Sequence, residues 1–145
     1  MRHMKRVIIS GYFNPFHTGH LDLVESAGKI GDWVIVIVNN DKQQLLKKGK
    51  IILNQDDRVR LVKAVKGIDE VVLSVDQDAP VSKTLRQIAE RYPDDELIFG
   101  NGGDRASTKD IPETAVCEEM GIEMRFGLAK VADSSTRINQ ALGYQ

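Results

Sequence analysis

Residues 33–38 read WVIVIV, an unbroken apolar run in which every residue is β-branched or aromatic. A strand that buries one face alternates apolar and polar positions, so this run predicts a central strand of a parallel sheet covered on both faces. Upstream, Arg6 to Ser10 reads as a strand and Gly19 to Ile30 as a helix. Downstream comes a polar, lysine-rich stretch, Asn39 to Leu53, expected to be a loop. A helix follows from Gln55 to Lys66, with Asn54 as its cap and Leu61, Val62 and Val65 at helical spacing. Val71 to Val75 is a third strand, and Pro80 to Tyr92 a helix that turns Leu85, Ile88 and Ala89 inward. Glu96 to Phe99 is a fourth strand. Asp110-Ile111-Pro112-Glu113 has the pattern of a capping box opening a helix to Gly121, and Ile122 to Phe126 is a fifth strand. A last helix begins near Ser134. Strands alternating with helices predict an α/β fold: five parallel strands in one sheet, helices on both faces, right-handed crossovers.

The chain of 145 residues fits one domain, taken as 1–145, with no repeat, linker or low-complexity segment. A net charge of −1 offers no general attraction to nucleic acid or to an anionic membrane, so neither is expected as a partner. One cysteine, Cys117, excludes an intrachain disulfide and a multi-cysteine metal site, and it points to a reducing compartment, the cytoplasm by default. No run approaches the roughly 18 apolar residues of a membrane span, and the first residues lack the apolar core of a signal peptide.

In open parallel sheets ligands bind beyond the carboxyl ends of the strands. Three segments at such ends stand out: Gly11 to His20 (GYFNPFHTGH), Gly100 to Arg105, and Ser134 to Arg137. The chain contains neither GxGxxG nor GxxxxGK[ST], so any phosphate it binds needs another device.

GYFNPFHTGH before a helix resembles the HxGH signature of the nucleotidyltransferase superfamily that includes the cytidylyltransferases. Further landmarks follow in that family's order: Asn39-Asn40-Asp41 after the second strand, the lysine-rich stretch, Asp57-Arg58 at a helix start, Gly102-Gly103-Asp104, and Ser134-Ser135-Thr136-Arg137. The resemblance covers essentially the whole chain. It is nearest to small single-domain members that transfer CMP or AMP to glycerol phosphate, heptose phosphate or similar acceptors, and it implies a Rossmann-like sheet.

The chemistry accounts for the residue types. Nucleotidyl transfer to an anionic phosphate needs positioning and charge stabilisation more than a base. His17 and His20, three apart, fall near one face of a helix start, where imidazole or imidazolium N–H groups can point at one phosphate. Gly19 leaves bare backbone beside them, and the helix N-terminus adds roughly half a positive charge. The same pair could ligate zinc, but Cys117 is isolated and His3 terminal, so a third ligand is missing and no metal site is assigned.

The resemblance implies the remaining roles. Gly11, Tyr12, Phe13, Gly19, Gly102, Gly103 and Asp104 would meet the nucleotide, as would Ser134, Ser135 and Thr136, with Arg137 on the β- and γ-phosphates. By themselves the last four residues fit equally a serine N-cap followed by a solvated arginine. Among Lys47, Lys48 and Lys50, Lys48 is taken as the one that neutralises phosphate. Arg58 is read as facing the active site, against the alternative of a salt bridge to Asp56 or Asp57. Asn14, Asp41 and Arg105 complete the acceptor side, and Asn14 fits a turn cap as well as an acceptor contact. Mg²⁺ would arrive with an NTP, either CTP or ATP, and the family implies a homodimer. The rival reading is a nucleotide-binding regulator of the same fold without turnover. A dinucleotide-binding dehydrogenase conflicts with the missing glycine fingerprint.

Overall fold

A computed structural model describes residues 3–102 and 111–128. Along the chain lie β1 (Lys5–Gly11), α1 (Thr18–Ile30), β2 (Trp33–Val38), α2 (Asp41–Lys48) and α3 (Gln55–Lys63). Then follow β3 (Glu70–Leu73), α4 (Ser82–Arg91), β4 (Glu96–Gly102), α5 (Thr114–Met120) and β5 (Glu123–Leu128). The helix expected near Ser134 lies outside the described residues. The five strands pair in parallel in the order β3-β2-β1-β4-β5. WVIVIV is an interior strand, paired on both sides, but the middle of the sheet belongs to β1.

Alternation along the strands divides the core into two layers. Ile8, Ile35, Ile37, Leu97 and Phe99 face Leu85, Ile88 and Ala89 of α4 and Val116 and Cys117 of α5. Val7, Ile9, Val34, Val36 and Ile98 face Leu23, Val24 and Ala27 of α1 and Val62 of α3. Both sheet faces are therefore covered, which is why β2 tolerates no polar residue. Gly31, at the α1–β2 turn, is pressed against β1: a Cβ there would stand 2.4 Å from Val7 Cγ2 and 2.9 Å from the Lys5 carbonyl oxygen.

Several expectations need correction. Asn39 to Leu53 is not all loop, since α2 occupies its middle. Asn40 caps that helix in a capping box with Gln43, and Gly49 ends it in the left-handed region at φ 72°. Asn40 Nδ2 also donates to the Ser74 and Asp76 carbonyls, and Gln43 Nε2 to that of Asp78, tying α2 to the segment before α4. Helix α3 stops at Lys63, and it buries Arg58 and Val62, one turn apart, while Leu61 is half exposed. Strand β3 ends at Leu73, leaving Val75 exposed beyond it. Asp110 lies outside the described residues, and Glu113 makes no side-chain cap bond to α5. Among the described residues no helix is long and apolar enough to cross a membrane.

Candidate functional site

Strand order reverses between β1 and β4, the switch point at which a parallel sheet opens a crevice. A cavity of about 560 Å³ lies there. Its floor is Ser10, Gly11 and Tyr12 from the end of β1 with Gly100, Asn101 and Gly102 from β4. His20, Lys47, Val81 and Glu113 stand on its walls.

The loop that brings His20 to the cavity has a forced path. Phe13 adopts φ 52°, rare for a residue with a side chain. Its buried ring lies under Gly11, where a Cβ would stand 2.9 Å from Phe13 Cζ, so this turn needs a glycine. The Phe13 and Phe16 rings then pack on the His20 imidazole, with centroids 4.8 and 5.2 Å away.

His17 is the N-cap of α1: its Nδ1 accepts from Gly19 N at 3.1 Å, and His20 Nδ1 accepts from His17 N at 3.1 Å. The two rings stack with centroids 3.7 Å apart. Because each Nδ1 accepts a backbone N–H, a neutral ring carries its proton on Nε2. Burial favours the neutral form of both. It lowers the His17 pKa, and together with the neighbouring His17 it pushes His20 down from 6.5 to about 3. Of the two forms that the sequence left open, imidazole is therefore the one present near neutral pH. His17 Nε2 is buried with no hydrogen-bond partner among the described residues. Such an atom is costly to leave unmade, and a ligand oxygen would satisfy it. The backbone N–H of Gly19 is already used by His17.

Arg58 is fully buried. Nε donates to the Leu53 carbonyl at 2.9 Å, Nη1 to the carbonyls of Tyr12 (2.8 Å) and Asn39 (2.6 Å), and Nη2 to Asp41 Oδ1 at 2.8 Å. One planar guanidinium thus joins the loop after β1, the end of β2, the start of α2 and the segment before α3. Its ion-pair partner is Asp41 rather than Asp56 or Asp57, so two of the four side chains expected at the acceptor are engaged with each other. Asn14 Oδ1 accepts from Ile52 N (3.2 Å) and Leu53 N (2.8 Å), anchoring the same segment to the histidine loop.

The lysine on the cavity wall is Lys47, whose Nζ lies 4.4 Å from the centroid of the Tyr12 ring. Lys48, the lysine favoured by sequence, is exposed at the end of α2 and does not line the cavity. Sequence reasoning named Lys47 but placed it behind Lys48, and it missed Glu113 as a wall residue. The N-x-x-Q box at Asn40–Gln43 was the signal for α2, and a helix there would have told Lys47 and Lys48 apart by face. Gly103, Asp104, Arg105, Ser134, Ser135, Thr136 and Arg137 lie outside the described residues. Among the described residues no group of three or more His, Cys, Asp or Glu is placed to hold a metal ion.

The profile of the Cytidylyltransferase-like family matches residues 8–138. An FAD synthase of Ferroglobus placidus is 38% identical over 82 residues, 55% of this chain and 53% of that protein, so the chain spans about half of that relative's length. An FAD synthase of Aciduliprofundum boonei is 32% identical over 132 residues, 90% of this chain and 83% of that protein. The solved structure of a lipopolysaccharide core biosynthesis protein from Thermoplasma volcanium superposes with a TM-score of 0.68 at 24% identity, over 88% of this chain and 98% of that one, a likeness of fold.

Proposed function

This chain belongs to the cytidylyltransferase-like family, and from that premise we propose that it is a nucleotidyltransferase moving an NMP from CTP or ATP to a phosphorylated small molecule. The observation that carries the reading is the histidine pair, both Nδ1 atoms held by backbone N–H groups and His17 Nε2 buried without a partner among the described residues. Two neutral N–H donors at the N-terminus of α1 suit a triphosphate and the charge that develops on its α-phosphate oxygens. An acceptor phosphate oxygen attacks the α-phosphorus in line. The bond to the bridging oxygen breaks as the new P–O bond forms, and pyrophosphate leaves with that bond's electrons, without a covalent enzyme intermediate. Lys47 brings positive charge to the same cavity. Mg²⁺ fits this site as an ion carried on triphosphate oxygens and water, its usual preference, rather than one caged by the protein.

Polyol and sugar phosphates are the first acceptors to test, and because the relatives are named FAD synthases, flavin mononucleotide, the phosphomonoester that AMP transfer converts to FAD, is added to them. The assay is pyrophosphate release with each NTP against glycerol phosphate, heptose phosphate, ethanolamine phosphate and flavin mononucleotide. Release is expected only when an NTP and a phosphomonoester are both present. His17→Asn keeps a capping oxygen but removes the Nε2 donor, and it should lower kcat by about 10² to 10³. Nucleotide binding without release from any pair would replace this reading with that of a regulator.

A further inference from the structure

Among the described residues, Glu113 has a hydrogen-bonding capacity that neither the packing nor the histidine chemistry uses. It lies immediately before α5, is 6% exposed, and lines the cavity. Oε2 accepts from Val81 N at 3.0 Å, which fixes the carboxylate against the start of α4. Oε1 is buried and meets no hydrogen-bond partner among the described residues. A buried carboxylate oxygen left unpaired is costly, so one on the wall of a substrate cavity marks the place of a donor that the ligand brings.

Charge orients that ligand. The N-terminus of α1 with His20, and Lys47 on α2, favour phosphate, whereas a carboxylate repels it. A phosphomonoester lying with its phosphate towards the histidines therefore turns its other end to Glu113. We propose that Glu113 is a specificity-determining residue whose carboxylate accepts a hydrogen bond from an ammonium or hydroxyl group on the non-phosphate end of the acceptor. Ammonium is the better match, because it offsets the carboxylate's charge as well as bonding to it. The assignment deepens, and rests on, the reading of the chain as a transferase to phosphorylated acceptors.

Glu113→Gln tests it with little disturbance of the fold. The amide oxygen can still accept from Val81 N, which leaves an NH₂ donor where an acceptor stood. Binding is measured by calorimetry on the full chain with ethanolamine phosphate, glycerol phosphate and ethyl phosphate, and separately with ATP and CTP. The parent protein should bind ethanolamine phosphate about 10- to 100-fold more tightly than ethyl phosphate, the size of one charge-assisted hydrogen bond. Glycerol phosphate should fall between them. In Glu113→Gln the ammonium preference should shrink to within about threefold, with nucleotide affinity unchanged. Equal binding of the three phosphates by the parent protein, which needs no variant to fold, would overturn the proposal. So would an undiminished preference in the variant, or a loss confined to nucleotide affinity. The readout does not depend on turnover. Preference without pyrophosphate release would count against the transferase reading alone, and release without preference against Glu113 alone.

Discussion

Replacing Arg58 with leucine should unfold the protein far more readily while leaving its chemistry intact in the molecules that stay folded. The guanidinium makes bonds to three carbonyls and to Asp41, all from full burial. Removing one partner of a buried ion pair costs about 3–5 kcal/mol, because the other charge and its neighbours are left unpaired. Asp41 is 30% exposed, so water recovers part of its share, but the Tyr12, Asn39 and Leu53 carbonyls lose a charged donor as well. We therefore predict a loss of about 3–5 kcal/mol. In a chain of this size that lowers the melting temperature by about 9–15 °C, at roughly 3 °C per kcal/mol. Arg58→Lys keeps the charge, but its compact ammonium cannot span four separated acceptors, so about half of the loss should remain. Thermal melts and urea titrations, with the m-value checked for constancy, provide the measurement. A leucine variant that melts within about 2 °C of the parent, yet shows a raised KM for the acceptor, would refute this latch and return Arg58 to the role of a substrate contact.

Acid should destabilise the fold through the histidine pair. Folding depresses both pKa values, so the unfolded chain takes up protons near pH 6.5 that the folded one refuses until His20 reaches about 3. Stability is complete above pH 6.5 and falls as pH drops towards 3; melts of the parent and of His20→Asn between pH 7.5 and 5 should converge, and parallel curves would contradict the burial argument. Gly31→Ala should cost about 1–3 kcal/mol through the approach to Val7 and the Lys5 carbonyl, since φ −148° suits any residue; an unchanged melt would show that the turn has slack.

The sheet was legible because its evidence is local. WVIVIV, the Leu85, Ile88 and Ala89 stripe and the alternation of strands with helices each declare themselves within a few residues. The centre of the sheet did not, since β1 takes that place only by pairing with a strand about 90 residues away. Composition hid α2, because a lysine-rich surface helix and a lysine-rich loop look alike unless the capping residues are weighed. Arg58 was found, but its burial was not, because four acceptors from four segments converge only in three dimensions. Glu113 resembled a helix cap in sequence, and only the packing of α4 beside α5 reveals that it holds Val81 and faces the cavity.

The position of β1 at the centre of the sheet also bears on the order of synthesis. Lys5 pairs with Glu96, so β1 waits while about 90 further residues are made before its second edge is covered. By the time β3 is made, β1 and β2 with α1 and α3 can already associate, but Val7 and Ile9 sit on a strand whose other backbone edge is bare. An apolar strand with an open edge is a template for pairing with another chain. The nascent protein thus passes through an interval, closed only when β4 docks, in which it is most prone to bind its own copies and most suited to a chaperone.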